Sequence, residues 1–347
     1  MRNRGKIFGL FLLLCGVFLG CFFLLIAAAA RDKAREASAS LPLREESPEE
    51  APAPRVPRFA LFPGSIRPGE PVTIGYSADF RDPGNRDFQA LLLDSGGRRL
   101  GKAPFFSLGT DEEGWELKAA LLAVPSTAAS GPALVRIEGA GGTVKELPLV
   151  IEKRDFVSEV IPLDMANTDI RIKPDPQKTA ESEHLWALLS RTGSAVYSSG
   201  PFVPPVTSTR RTSFFGDRRI YRYVTGGNDS SIHAGVDYGV PTGTEVMACA
   251  AGRVVLARFR IATGNSVVIE HMPGVYSLYY HLDRISVGEE SLVKAGALVG
   301  LSGSTGLATG PHLHWEIRVA GENCDPDAFV SRAVLDKTAV LSHLIER

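Results

Sequence analysis

Histidine is concentrated in one part of this chain: five of its seven histidines lie between His233 and His314. His312-Leu313-His314 falls inside Gly310–Val319, where polar and apolar residues alternate with period two. That period marks a β-strand with one buried face. His312, His314, Glu316 and Arg318 then share one face, and Leu313, Trp315, Ile317 and Val319 the other. Two imidazoles about 7 Å apart on one strand can serve a single metal site, one as ligand and one as catalytic neighbour. His233-Ala234-Gly235-Val236-Asp237 adds an imidazole and a carboxylate, both zinc ligands by type. Helical spacing would stack the two, but Gly235, Gly239 and Pro241 favour a turn into a short strand, which also brings them to one face. The third piece is Tyr279-Tyr280-His281. A strand over Tyr276–Leu282 places His281 with Tyr279 and Ser277, in reach of the cleft that His312 faces. An imidazole beside a metal-held water moves protons or hydrogen-bonds an oxyanion. Alone, His312-Leu313-His314 reads first as an ordinary half-exposed strand face, and the spacing of His233 and Asp237 carries little weight by itself. His271, beside Met272-Pro273, reads as a strand-edge residue and His184 as a surface one.

The order of these pieces is more specific than any of them. His-x-x-x-Asp is followed by Tyr-Tyr-His and then by His-x-His on a Trp-Glu strand. Ser213-Phe214-Phe215-Gly216-Asp217-Arg218-Arg219, Pro241-Thr242-Gly243-Thr244, Ala250-Ala251-Gly252-Arg253-Val254 and Ser302-Gly303-Ser304-Thr305-Gly306 stand among them. Over about Thr212 to Phe329 the chain resembles the lysostaphin-type (LytM-like) zinc endopeptidases of the bacterial cell wall. The resemblance implies zinc (Zn2+) held by His233, Asp237 and His314, with His281 and His312 as non-ligand active-site histidines. Three protein ligands leave one position for water, whose pKa zinc lowers to about 7. His312 is then expected to move the water's proton to the leaving amine and His281 to hydrogen-bond the oxyanion, roles that can be exchanged. The implied reaction is hydrolysis of peptide cross-links of peptidoglycan. A catalytically silent wall-binding or hydrolase-activating module on the same fold is the alternative; all five residues are present, which favours the enzyme. An insertion-like loop, Tyr221–Ser231, bears on substrate preference, and Cys249 stands where a small residue is usual.

Other signals carry less. Ser302–Gly310 lacks the lysine of a phosphate-binding loop and leads into a strand, so it reads as a wall of the cleft. No His-Glu-x-x-His supplies a glutamate base; Glu316 reads as a solvated or Arg-paired carboxylate. Arg218 and Arg219 read equally as carboxylate grips or structural ion pairs, and Tyr279 and Tyr280 as strand packing.

The elements that must position these residues suggest a mainly β chain. Strand candidates Val254–Ala257, Ser266–His271, Tyr276–His281 and His312–Val319 are punctuated by glycines, predicting an antiparallel peptidase domain over 201–335, with no helix before Ala333–Ile345 and a tail over 336–347. Residues 58–152 carry short apolar runs between Pro-Gly and Gly-Gly turns, the pattern of a small immunoglobulin-like β-sandwich. A linker over 153–200 holds one helix, Pro176–Leu189. Residues 31–57, rich in Pro and Glu, read as a tether. Arg2, Arg4 and Lys6 precede an apolar run from Ile7 to Ala30 that is long enough to cross a membrane, predicting an N-terminal transmembrane helix with the bulk of the chain outside the inner membrane. A signal cleaved near Ala27–Ala30, or a lipoprotein at Cys21, are the competing readings. Net charge is -1, so nothing favours nucleic acid as a partner. Two of the four cysteines, Cys249 and Cys324, lie beyond the apolar run and read equally as a disulfide or as buried thiols.

Overall fold

The computed structural model describes residues 58–79, 87–110 and 115–345. The expected membrane span over Ile7–Ala30 and the tether over 31–57 lie outside these residues. Among the described residues no helix is long and apolar enough to cross a membrane.

The described residues between 58 and 151 form two facing sheets. One runs β1 (Arg58–Phe62), β3 (Pro71–Asp79), β7 (Trp115–Ala123), β6 (Phe106–Thr110). The other runs β2 (Ser65–Ile66), β9 (Gly142–Ile151), β8 (Gly131–Gly139), β4 (Gln89–Asp94), β5 (Arg99–Pro104). Alternate residues of β3 (Val72, Ile74 and Tyr76) meet Leu92, Val135, Ile137 and Leu149 from the opposite sheet in one core. Each fully buried aliphatic side chain there stabilises the module by about 1.5–3 kcal/mol.

The second half is built on an antiparallel sheet. Its order is β11 (Arg211–Ser213), β14 (Val236–Tyr238), β21 (Leu313–Val319), β18 (Val275–Ile285), β17 (Gly264–Met272), β16 (Gly252–Arg260), β19 (Leu292–Val293). β15 (Glu245–Met247) and β20 (Leu298–Ser302) pair with each other; β20 also joins β18, and β22 (Glu322–Cys324) joins β21. Pro273-Gly274, with Gly274 at φ +74, turns β17 into β18. Both faces of the sheet are covered. Trp315, Ile317 and Tyr279 face the larger core, while Val268, Tyr276, Leu278 and Tyr280 pack with Leu188 and Leu189.

Leu188 and Leu189 come from the segment read as a linker, which is more structured than expected. It contains β10 (Ser158–Pro162), α1 (Met165–Ile172) and α2 (Pro176–Leu189). Only α2 is expected from the sequence, from Leu185, Leu188 and Leu189 on one face; in the structure Pro176 stands in its first turn and Asp175 caps it, accepting from Gln177 N and Lys178 N. α1 has eight residues capped by Asp164, too few for a periodic apolar signal. The same reason hid α3 (Pro326–Ser331), which corrects the expectation of no helix before Ala333. β10 pairs in parallel with β12 (Arg218–Arg222), which pairs with β13 (Asn228–Ile232), so the insertion-like loop is the end of a hairpin with an outer third strand. The C-terminal residues form α4 (Lys337–Ile345), whose Val340 and Leu344 pack on Ala60 and Leu117 of the first module.

Candidate metal centre and its cleft

Strand register brings the site together. β14 and β21 are antiparallel with Asp237 directly opposite His314, and Tyr280 of β18 opposes His314 on the other side. His233 lies in the turn before β14. That turn presses on β21 so closely that a Cβ on Gly235 would stand 2.1 Å from the carbonyl oxygen of Trp315. Three donor atoms converge as a result. Asp237 Oδ1 is 2.7 Å from His314 Nδ1 and 3.1 Å from His233 Nε2, and the two nitrogens are 3.0 Å apart.

The hydrogen bonds behind these atoms decide what they present. His233 Nδ1–H donates to the Phe214 carbonyl at 2.7 Å, leaving the Nε2 lone pair aimed inward. His314 Nε2–H donates to Glu316 Oε1 at 2.9 Å, which directs Nδ1 inward. Glu316 is 5% exposed, and its other oxygen takes two bonds from Arg318 at 2.8 and 3.0 Å. Two inward nitrogens and a carboxylate oxygen this close repel unless a proton or a cation lies between them. Ligands about 2.0–2.1 Å from a tetrahedral zinc stand about 3.3 Å apart, so a small closing-up of the observed separations is relieved by the ion. The residues fit the metal. Burial opposes protonation of His314, but Asp237 and Glu316 outweigh it and push its pKa up to about 9. Burial likewise opposes ionisation of Asp237, yet His314 and His233 hold its carboxyl well below the usual range. Burial lowers His233.

His312 and His281 stand at the open side, ring centroids 4.7 Å apart. His312 lies just before β21, held by its N–H to Gly303 O, and its Nδ1–H donates to Gly310 O at 2.8 Å. Its Nε2 is 3.8 Å from Asp237 Oδ1. His281 has φ +60, a left-handed conformation costing about 1–2 kcal/mol. Its N–H to Thr263 O and its Nδ1–H to Thr305 O, at 2.9 and 2.7 Å, hold it there. The kink breaks the strand's alternation. Tyr279 points into the core with Ser277, whereas Tyr280 and His281 both line the cleft, which corrects the face assigned from sequence. Tyr280 also stacks on His314, 5.6 Å between centroids at 5°. Because its Nδ1–H is committed, neutral His281 presents a lone pair at Nε2. Donation to an oxyanion requires its imidazolium, and burial with His312 and His314 pushes its pKa down to about 3. Burial lowers His312 too, while nearby Asp237 opposes that shift.

Of the two readings open for Arg218 and Arg219, the structure shows Arg219 in ion pairs. Arg219 donates from Nη2 to Asp237 Oδ2 at 2.6 Å and from Nε to Glu159 Oε1 at 2.7 Å, fixing the oxygen that faces away from the triad. Arg218 instead bonds Ser126 O and lies over the Phe156 ring. Glu159 and Arg171 line the same cavity and come from the connecting segment, where no local motif marks them. Leu307–Gly310 form the opposite wall, as expected of that loop. His271 is not at an edge. It is fully buried, bonded through Nδ1 to Ala251 O and through Nε2 to Ser277 Oγ. Cys249 and Cys324 are buried free thiols.

Residues 231–326 match the model of Peptidase family M23. Over 135 residues the chain is 38% identical to the DD-carboxypeptidase/endopeptidase Mpg of Neisseria meningitidis serogroup B, covering 39% of this chain and 30% of that protein. Over 117 residues it is 41% identical to the peptidoglycan DD-endopeptidase ShyA of Vibrio cholerae, covering 34% and 27% respectively. The matches thus span less than a third of either relative's length. A crystal structure of a putative peptidase M23 from Pseudomonas aeruginosa aligns with a TM-score of 0.51 at 23% identity, over 76% of this chain and 93% of that one. That likeness shows a shared mainly β, antiparallel fold reaching beyond the family match. Zinc is the metal of the family, in keeping with the donor set described above. Residues 231–326 thus carry a domain similar to Peptidase family M23, whose metal is zinc, and the His233, Asp237 and His314 cluster lies in that domain.

Proposed function

We propose that the chain is a zinc endopeptidase hydrolysing peptide cross-links of bacterial peptidoglycan, with His233, Asp237 and His314 as metal ligands and His281 and His312 as catalytic residues. The reading rests above all on one observation: these five side chains meet in a single cavity of about 540 Å³. The names of the relatives support peptidoglycan as substrate. Zinc, when bound, supplies a Lewis acid and a water of pKa about 7. His312 Nε2 accepts the proton of the attacking water, its imidazolium stabilised by Asp237 at 3.8 Å, and returns it to the leaving amine. His281 Nε2 accepts a hydrogen bond from the attacking water and keeps it aimed at the carbonyl. Glu316 and Arg219 orient the ligands.

We assign the two-sheet module the part of a spacer with immunoglobulin-like patterning, and Ile7–Ala30 that of an inner-membrane anchor. The basic flank supports an extracytoplasmic placement of the remainder. Digestion of purified sacculi by the zinc-loaded chain, followed by mass spectrometry of the released muropeptides, tests the activity. Cleaved cross-links that disappear with His314→Ala are expected. A folded, zinc-loaded chain that binds sacculi without cleaving any bond contradicts the reading.

A further inference from the structure

The wall of the cleft supplied by the connecting segment lies outside the region matching the family, so the family gives it no role. α1 touches both sides of the cavity. On one side Thr168 Oγ1 accepts from Val224 N of the β12–β13 hairpin at 3.4 Å, and Arg171 Nε donates to Asp229 Oδ1 of β13 at 2.8 Å. On the other, Asn167 Nδ2 donates to the carbonyl of Ala308 in the opposite wall at 3.2 Å. Asn167 and Thr168 are buried. An extended peptide needs about 5 Å in its hydrogen-bonding direction and about 10 Å across its side chains. A helix in hydrogen-bond contact with both walls leaves no such passage at that place.

Arg171 lines the cavity from this helix. Its guanidinium lies over the Tyr221 ring, 3.9 Å from the centroid; its ion pair with Asp229 is made through Nε, and the Tyr223 hydroxyl is a second hydrogen-bond partner. Tyr221 and Arg219 are two residues apart on β12, about 7 Å, and Arg219 is bonded to Asp237. Arg171 therefore sits roughly two extended residues from the metal ligands. The other cavity-lining guanidinium, Arg219, is engaged by Asp237 and Glu159. A planar guanidinium with five donors that lines the cavity is the side chain suited to a carboxylate.

We propose that α1 closes one end of the cleft and that Arg171 is a specificity-determining residue binding a free carboxylate of the substrate peptide about two residues from the scissile bond. The proposal rests on the peptidase reading and adds to it the charge of the substrate. The carboxylate can be the peptide's terminus or belong to a diamino-acid side chain, and one set of probes separates them. A synthetic stem tetrapeptide is made in four forms: C-terminal acid or amide, each with the diamino-acid carboxylate free or amidated. Binding of each to zinc-loaded His312→Ala protein is measured by calorimetry, with and without Arg171→Gln.

Amidation of one of the two carboxylates should weaken binding about 10–100-fold, and Arg171→Gln should abolish that difference. In turnover by otherwise native enzyme, Arg171→Gln should raise KM with little change in kcat, and Arg171→Lys should recover part of the loss. Equal binding of all four forms, or a preference that survives Arg171→Gln, overturns the proposal. Sacculus digestion by the native chain reports separately on the peptidase reading: digestion without carboxylate preference leaves that reading standing and removes only the role of Arg171.

Discussion

Glu316 makes the sharpest prediction because two effects of its removal can be separated. Its Oε1 accepts from His314 Nε2 at 2.9 Å and its Oε2 accepts two bonds from Arg318. Glu316→Gln keeps the shape and an oxygen for His314 but removes the charge that makes the imidazole a better donor to zinc. Loss of such an outer partner lowers metal affinity about 10–100-fold, or about 1.4–2.7 kcal/mol. The same change strands Arg318, whose side chain is 13% exposed. An unpaired buried cation costs about 3–5 kcal/mol, so the single variant confounds zinc loss with unfolding. The comparison to make is Glu316→Gln/Arg318→Met against Arg318→Met alone. Zinc dissociation constants come from competition with a chromophoric chelator, and folding from urea titration of the apoproteins. The double variant should match its parent in stability yet bind zinc at least tenfold more weakly. Affinities within threefold of each other would refute the claim that Glu316 tunes His314.

Three further outcomes follow from the geometry. His312→Ala should retain a full equivalent of zinc while kcat on a soluble cross-linked muropeptide falls about 10²–10⁴-fold; zinc loss instead would make His312 a ligand. Gly235→Ala should destabilise the fold by about 3 kcal/mol, since its Cβ would meet Trp315 O at 2.1 Å, read as a lowered urea midpoint at constant slope. His271, buried and pushed down to about 4 by burial, stays neutral in the fold while the unfolded chain takes up a proton near 6.5. Its contribution is complete above pH 6.5 and is lost as pH falls toward 4. Between pH 7 and 5 the native chain should therefore lose about 2 kcal/mol more stability than His271→Gln, and parallel pH profiles would show that His271 is protonated within the fold.

The chemistry of the site was legible where it is written locally. Period two in Gly310–Val319 put His314, Glu316 and Arg318 on one face, and they are bonded in series there. His233 and Asp237 could be paired by their spacing. What local pattern does not encode is long-range register, so the meeting of Asp237 with His314 across β14 and β21 rested on the family resemblance. His281 defeated the alternation rule because two backbone carbonyls, Thr263 and Thr305, hold it in a left-handed conformation that a strand template excludes. Glu159 and Arg171 arrive through a parallel strand pairing and a short capped helix, and neither leaves a periodic trace. For His271, the neighbouring Pro273 was read as an edge, whereas it sits in the β17–β18 turn and His271 is covered by Phe202.

X-ray absorption on the purified chain, combined with elemental analysis, tests the central claim most directly. One zinc per chain is predicted, with two imidazole nitrogens and one carboxylate oxygen at about 2.0–2.2 Å, and less than a tenth of an equivalent in His314→Ala. A spectrum with sulfur ligands, or a full equivalent of zinc retained by His314→Ala, would contradict it.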